Sequence, residues 1–399
     1  MTQVVNEEQL DYCDILIKPK RSTLNSRKEP NVYRNYTFKW SNRTIEGNGL
    51  TVANMATTGT FEMAKIFQYN KMFCCLQKHY PFDKLYEFFT ENNLSAKTFN
   101  GHICGNDYVF LSTGINTEDI NKTKRILDMG LCKNLCIDIA NGYIPKLLET
   151  VNLFRKEYPD IVIMVGNVVT GDMVQDLILA GADLVKCGIG PGANCTTRKQ
   201  TGVGRPQLST VLDCAEAAHA VGGYICADGG ITCYGDIAKA YGAGADFVMV
   251  GSLVAGSDEA EGEIITKFYS DSELENGEWI DSKGYYHGTE NCDDMSDFHG
   301  FTTKPTPKII KKQFKLAYGM SSKYAQDKHW NGMANYRTSE GIVTLKEYTG
   351  PVQNIIDDYL GSLRSTMTYI NCIKLKDFPK VTTFYKVSRI LNNDGKGIL

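Results

Sequence analysis

The chain has 399 residues, 42% hydrophobic and 22% charged, with a formal net charge of −3. That composition supports a large packed core and excludes a disordered chain, and the charge argues against a nucleic-acid surface while allowing a discrete anion pocket. No stretch approaches the roughly 18 continuous apolar residues of a membrane span, and the polar start Met1–Leu10 is no secretory signal, so a cytoplasmic protein is expected.

Residues 1–48 read as a polar, irregular N-terminal arm. Its basic cluster (Lys18, Lys20, Arg21, Arg27 and Lys28) is by itself a solvated surface. From residue 49 a rhythm begins. Apolar runs at Leu50–Ala53, Met72–Leu76, Tyr108–Leu111, Leu135–Ile139, Ile161–Val165, Leu184–Cys187, Tyr224–Ala227 and Phe247–Val250 predict eight strands. Segments with helical spacing lie between most of them, such as Leu147, Leu148, Val151 and Phe154, then Met173, Leu177 and Ile178. Strands that alternate with helices pair in parallel. Eight such units fit a closed α/β architecture, a (β/α)8 TIM barrel, better than an open doubly wound sheet.

Beyond residue 263 the rhythm breaks. Nine acidic residues and one basic residue, Lys283, fall between Asp271 and Asp297, and Lys304 to Lys315 is then basic. Residues 264–313 are therefore expected to form an inserted segment over the active-site face, mobile and with a short hairpin. A C-terminal flap segment (Tyr318–Ser322, Asn335–Gly341) and a tail from Val352 follow, and 1–399 is taken as one barrel domain.

Barrel chemistry lies just past the strand C-termini. The loop Lys186–Arg198 follows the sixth run with three glycines, a proline and Cys195. Glycine-rich backbone at a strand end offers N–H groups to an anion or carbonyls to a cation, and a cysteine there is placed for attack. The thirteen cysteines are scattered without CxxC spacing, which reads as free thiols in a reducing compartment. Asp228-Gly229-Gly230 and Gly251-Ser252 follow the seventh and eighth runs, where barrels commonly cradle phosphate. Thr197 could pass a proton, Glu340 could make that threonine a better base, and Lys78 and Asp138 would supply charge around a second ligand.

The loop GIGPGANCTTRKQTGVGRPQLSTV (188–211) resembles the signature of the IMP dehydrogenase/GMP reductase family. DILIKPKRS (14–22), GTFEMA (59–64), KHY (78–80), DIANGY (138–143), GNVVTGDMV (166–174), YGMSS (318–322), YRTSEG (336–341) and LRSTMTY (363–369) resemble its reductase branch. The resemblance implies NADPH-dependent reductive deamination of GMP to IMP and ammonia, with Cys195 attacking purine C2 to form a thioimidate. It further implies that Thr197 and Glu340 handle the proton of the departing amine. Substrate contacts would come from Asp228, Gly229, Gly230, Gly251, Ser252, Gly319, Met320, Ser321, Arg337, Ser339 and Gly341. Cofactor contacts would come from Ser26, Arg27, Lys78, Asp138, Ile139, Ala140, Ile189, Gly190, Met320, Tyr336, Arg337, Ser365, Thr366, Met367 and Thr368. On this resemblance the basic arm becomes a grip on the 2′-phosphate of NADPH. Gly190, Gly192 and Cys195 would offer carbonyls to a monovalent cation such as K+, with Arg198 in the same loop, and a homotetramer is implied.

Three positions depart from the family pattern. Ala193-Asn194 stands where the family usually reads Ser-Val, Ala56 where it reads Asp, and Arg205 where reductases usually have Tyr. The missing serine hydroxyl normally helps hold the 5′-phosphate, so a deoxy- or modified guanine-type nucleotide also fits as substrate. An IMP dehydrogenase and a non-catalytic nucleotide-binding regulator are further readings of the same motifs.

Overall fold

The computed structural model describes residues 4–94, 98–99, 102–103, 106–270, 279–280, 286–287, 309–330, 332 and 338–387. Eight parallel strands close into a barrel: β1 (Leu50–Val52), β2 (Phe73–Cys75), β3 (Val109–Thr113), β4 (Asn134–Asp138), β5 (Val162–Val168), β6 (Leu184–Cys187), β7 (Tyr224–Asp228) and β8 (Phe247–Val250). All eight expected strands are present. Closure is made by β8 on β1, with Val248, Met249 and Val250 opposite Leu50, Thr51 and Val52.

Each strand is followed by an outer helix: α1 (Phe61–Tyr69), α2 (Phe82–Leu94), α3 (Thr117–Asp128), α4 (Pro145–Glu157), α5 (Gly171–Leu179), α6 (Gln207–Ala220), α7 (Tyr234–Gly242) and α8 (Val352–Tyr369). Local chemistry fixes several starts. The Thr60 hydroxyl accepts from the Met63 N–H ahead of α1, Asn116 caps α3 in the same way, and Pro145 opens α4 where no N–H is needed. Apolar residues at helical spacing, such as Leu147, Val151 and Phe154 of α4, bury against the outward face of the strands.

The N-terminal arm is more ordered than its polarity suggests. Arg34–Thr37 and Thr44–Gly47 form an antiparallel hairpin, and its alternation buries Tyr36 and Ile45. With Phe38, these residues join Phe73, Phe110, Met164 and Phe247 in a second core inside the barrel. The Tyr36 and Phe247 rings lie 4.5 Å apart. Composition averaged over 1–48 hides this, because three or four buried side chains suffice to seat a hairpin. The hairpin plugs the N-terminal end of the barrel, and among the described residues the interior opens at the other end.

After β8 the chain forms an antiparallel sheet. β9 (Ile265–Ser270) pairs with β10 (Ile309–Tyr318) from Ile265 opposite Phe314 to Ser270 opposite Ile309. β10 pairs in turn with β11 (Val343–Glu347). Trp279–Ile280 and Tyr286–His287 extend the sheet beyond β9. The rest of 271–308 lies outside the described residues. Ala56, Tyr318 and Ala325 make a small buried cluster that seats the flap helix Lys323–Trp330 on the barrel rim.

Candidate active site

Strand alternation decides which side chains reach the barrel interior. In β6, Leu184 belongs to the inner core, whereas Val185 and Cys187 pack against the helices, so Lys186 points inward. The same alternation sends Cys136 and Asp138 inward from β4, and Cys226 and Asp228 inward from β7. The polar members meet at the C-terminal rim. Lys186 Nζ lies 2.5 Å from Asp138 Oδ1, 3.3 Å from Asp228 Oδ2 and 3.5 Å from Asn54 Oδ1. Asn167 Nδ2 donates to Asp228 Oδ2 and to the Gly188 carbonyl, both at 2.8 Å.

Beyond β6 the glycine-rich loop turns over this layer. The Cys195 N–H donates to the Gly192 carbonyl at 3.0 Å, and the loop ends in a short helix, Thr197–Thr201. The segment leading into β11 runs antiparallel beside it. The Thr196 N–H donates to the Glu340 carbonyl at 2.9 Å, the Ile342 N–H donates to the Asn194 carbonyl at 3.0 Å, and Thr344 Oγ1 donates to Asn194 Oδ1 at 2.9 Å. This clasp lays Glu340 on the loop. The Cys195 thiol donates to Thr197 Oγ1 at 3.3 Å, and Thr197 Oγ1 donates to Glu340 Oε2 at 2.6 Å.

Two glycines make these approaches possible. Gly229 has φ +92°, and a Cβ there would sit 2.8 Å from Pro191 Cγ, so the turn after β7 packs directly on the cysteine loop. Gly319 lies where a Cβ would come within 2.7 Å of the Asn194 carbonyl and 3.1 Å of Gly341 Cα.

The result is a cavity of about 450 Å³ at the open end of the barrel. Cys195, Thr197 and Glu340 line it, with Asp228, Gly229, Gly230, Gly251 and Ser252 and, from the flap, Gly319, Met320 and Ser321. Lys78, Asp138, Ile139, Ala140, Ile189, Gly190 and Gly192 complete the predicted residues on its wall. Gly341 is bridged to Cys195, and Ser339 Oγ accepts from the Lys323 N–H at 3.2 Å and donates to the Gly341 carbonyl at 3.1 Å. The Arg198 guanidinium turns to the Arg205 carbonyl at 2.5 Å and to Asp11 at 3.5 Å. Tyr336 and Arg337 lie outside the described residues.

Ser26, Arg27 and Ser365–Thr368 do not reach this cavity within one chain. The Lys20 N–H donates to the Tyr369 carbonyl, the Thr23 N–H to Asn371 Oδ1 and the Asn31 N–H to the Ile373 carbonyl. Asn48, just before β1, donates to the Val32 carbonyl. The arm and the end of α8 therefore meet at the N-terminal end of the barrel, away from Cys195.

Charge in the cavity is set by the buried lysine. Burial alone pulls the Lys186 ammonium down, but Asp138 and Asp228 reverse this and hold it well above the ordinary lysine value. Burial pushes the Asp138 carboxyl up, and Lys186 and Lys78 outweigh it, so the group sits below the usual carboxylate range. At the rim the His79 ring stacks on His329 of the flap helix at 4.4 Å. Burial, then His329, Lys78 and Lys122, take His79 down to about 3.

Of the described cysteines, eight are buried, Cys13 and Cys233 are exposed, and Cys195 is half-buried on the cavity wall. A thiol, a hydroxyl and a carboxylate in series, in a cavity shared with two glycine turns, suit covalent attack on an electron-poor carbon with proton transfer alongside.

The chain matches the family model described as the IMP dehydrogenase / GMP reductase domain over residues 10–275 and 296–396. The chain belongs to the IMP dehydrogenase/GMP reductase family. It is 43% identical over 394 residues to a GMP reductase of Aliivibrio fischeri (strain MJ11), covering 98% of each chain. It is 41% identical to human GMP reductase 2 over 393 residues and to mouse GMP reductase 1 over 390, again with 98% of each covered. The IMP dehydrogenase/GMP reductase family is an oxidoreductase family, and membership implies a nicotinamide cofactor and a purine nucleotide substrate.

The three departures from the family pattern each have a local setting. Ala56 is fully buried beside Tyr318 and Ala325. The Asn194 side-chain oxygen is engaged by Thr344. Arg205 ties together Gln9 at 2.7 Å, the Val169 carbonyl at 2.8 Å and Asp213 at 2.5 Å. Lys186 opens the cysteine loop and Asn167 lies within GNVVTGDMV, but the motifs assign no role to these two or to Asn54. For Lys186 a signal does exist: period-two alternation from Leu184 puts it inside the barrel.

Proposed function

We propose that the protein is a GMP reductase that converts GMP to IMP and ammonia at the expense of NADPH. The observation that carries this reading is the series Cys195, Thr197, Glu340 on the wall of a cavity that the Asp228–Gly230 and Gly251-Ser252 turns also line. In a chain this similar to the GMP reductases, that series matches the reaction.

The thiol proton passes through Thr197 toward Glu340, because both hydrogen bonds run in that direction. Cys195 sulfur adds to purine C2, and the C2–N bond breaks as the amino group takes a proton back along the same path. Ammonia departs and a thioimidate remains. When bound, the dinucleotide would supply the hydride that C2 takes. Loss of the Cys195 sulfur as thiolate would then give IMP, and the thiolate takes up one proton to regain the starting thiol. Asp228 accepts hydrogen bonds from sugar hydroxyls, and the N–H groups of the two glycine turns face the phosphate. Lys78, Asp138 and Ala140, on the same cavity wall, would hold the dinucleotide.

The remote cluster of Ser26, Arg27 and Ser365–Thr368 serves the same dinucleotide in a homotetramer, where a neighbouring copy brings it to the cavity mouth. K+ would be held by carbonyls of Gly190, Gly192 and Cys195. Gly192 already accepts one N–H and keeps a second lone pair. The loop's carbonyls, without a carboxylate, suit a monovalent ion better than a divalent one. Arg198 contributes at most its carbonyl, since its guanidinium is engaged elsewhere.

The test is a panel of purine nucleotides with NADPH and NADH, read by absorbance at the reduced nicotinamide band and by ammonia release. GMP-dependent NADPH oxidation with equal ammonia is expected, and NAD reduction on adding IMP would reverse the assignment. A second reading, a nucleotide with a different sugar or phosphate arrangement, is favoured by Ala193 and by the engagement of Asn194 with Thr344. Higher kcat/KM for a deoxy- or modified guanine nucleotide in the same panel would select it.

A further inference from the structure

We propose that Lys186 is the positioning residue that sets both ligand subsites at once, orienting Asp138 for the dinucleotide and Asp228 for the nucleotide sugar; this rests on the function proposed above. Lys186 is 2% exposed, and the reaction steps give it no part of their own. An isolated ammonium at that depth would be strongly disfavoured, so its partners must offset the desolvation. They do so from two directions, at 2.5 Å on β4 and at 3.3 Å on β7.

The strand between β4 and β6 is shaped to permit this. Gly166 of β5 pairs with both Asp138 and Lys186 in register, and a Cβ on it would sit 2.6 Å from Lys186 Cβ. A residue with a side chain there would bar the lysine stem from crossing to β4. Asn54 from the rim of β1 lies 3.5 Å from the ammonium, while Asn167 holds Asp228 from its other side. Each carboxylate is left with oxygen exposed to the cavity, since the Asp138 and Asp228 side chains are 29% and 22% accessible. One cation between two acids thus fixes which lone pairs face each ligand.

The groups that face Lys186 are Asp138 and Cys136 on β4, Asp228 and Cys226 on β7, and Cys75 on β2, with Lys78 beyond Asp138. Without the ammonium, two carboxylates face each other across a low-dielectric interior. Deprotonation of the pair then moves to higher pH.

The test measures GMP and NADPH binding separately by calorimetry on the full chain. Lys186→Met is expected to weaken both at least tenfold, whereas Asp138→Asn weakens NADPH alone and Asp228→Asn weakens GMP alone. In Lys186→Met, GMP affinity should also rise more steeply with pH than in wild type, beyond the ionisation of the substrate phosphate that both share. Should Lys186→Met fail to fold, Lys186→Gln is read in the same way. Retained affinity for both probes, loss of only one, or an equal loss at every pH overturns the proposal. If wild-type protein binds neither probe, the functional reading falls and takes this one with it; tight wild-type binding with unchanged variants sinks the Lys186 proposal alone.

Discussion

Thr197 and Glu340 are 143 residues apart in the chain, yet the threonine hydroxyl donates to the carboxylate at 2.6 Å. The bond joins a barrel loop to a segment that arrives only after the sheet of β9, β10 and β11 has begun. Proton transfer therefore depends on a contact between two separately built parts.

That dependence separates chemistry from binding. Glu340→Gln and Thr197→Ala should lower kcat by about 10²–10⁴ with little change in nucleotide affinity. Cys195→Ala should abolish turnover while GMP still binds, as read by calorimetry. Retained turnover in Cys195→Ala removes the covalent route.

Gly319→Ala probes the clasp itself. The new methyl would meet the Asn194 carbonyl and the Gly341 backbone, and neither is a flexible side-chain end. The flap must shift, so we expect kcat to fall by at least about tenfold while the thermal transition of the barrel stays within a few degrees. Unchanged kcat would mean that the contact can relax without moving Glu340.

Ala193→Ser restores the hydroxyl that the family usually carries in the cysteine loop. A hydrogen bond to a charged group contributes about 1.5–3 kcal/mol, so KM for GMP should fall roughly tenfold or more with kcat nearly unchanged. An unaltered KM would show that the substrate phosphate lies elsewhere, and would favour the modified-nucleotide reading.

The His79–His329 stack gives a pH dependence with a defined sign. The folded value for His79, about 3, lies below the ordinary histidine value near 6.5. The unfolded chain takes up that proton first, so stability falls as pH drops from about 6.5 toward 3. His79→Phe keeps a stacking ring and cannot titrate. Between about pH 7.5 and 5.5 the wild-type melting temperature should fall further than that of His79→Phe. Parallel declines would place the effect elsewhere.

The strand rhythm was legible because barrel strands, buried on both faces, are nearly continuous apolar runs, and all eight survive as elements. The loop residues at their ends were legible for the related reason that each run stops at a polar or glycine residue. The hairpin carrying Tyr36 and Ile45 was not, because its pattern is short and sits in polar surroundings. Lys186 is hard to see for the opposite reason, as a charge inside an apolar run looks like an edge rather than an interior partner. The separation of Ser26 and Arg27 from Cys195 could not be read from motifs, which carry order along the chain and no distances.

Ser270 and Ile309 stand opposite one another at the ends of β9 and β10. The intervening residues therefore leave and return through a doorway one strand spacing wide, about 4.8 Å. That spacing is set by the β9–β10 ladder itself, which runs unbroken from Ile265 opposite Phe314 to Ser270 opposite Ile309. The strand that carries Tyr318 to the cavity rim is thus anchored along its whole length, on one side by β9 and near its end by β11.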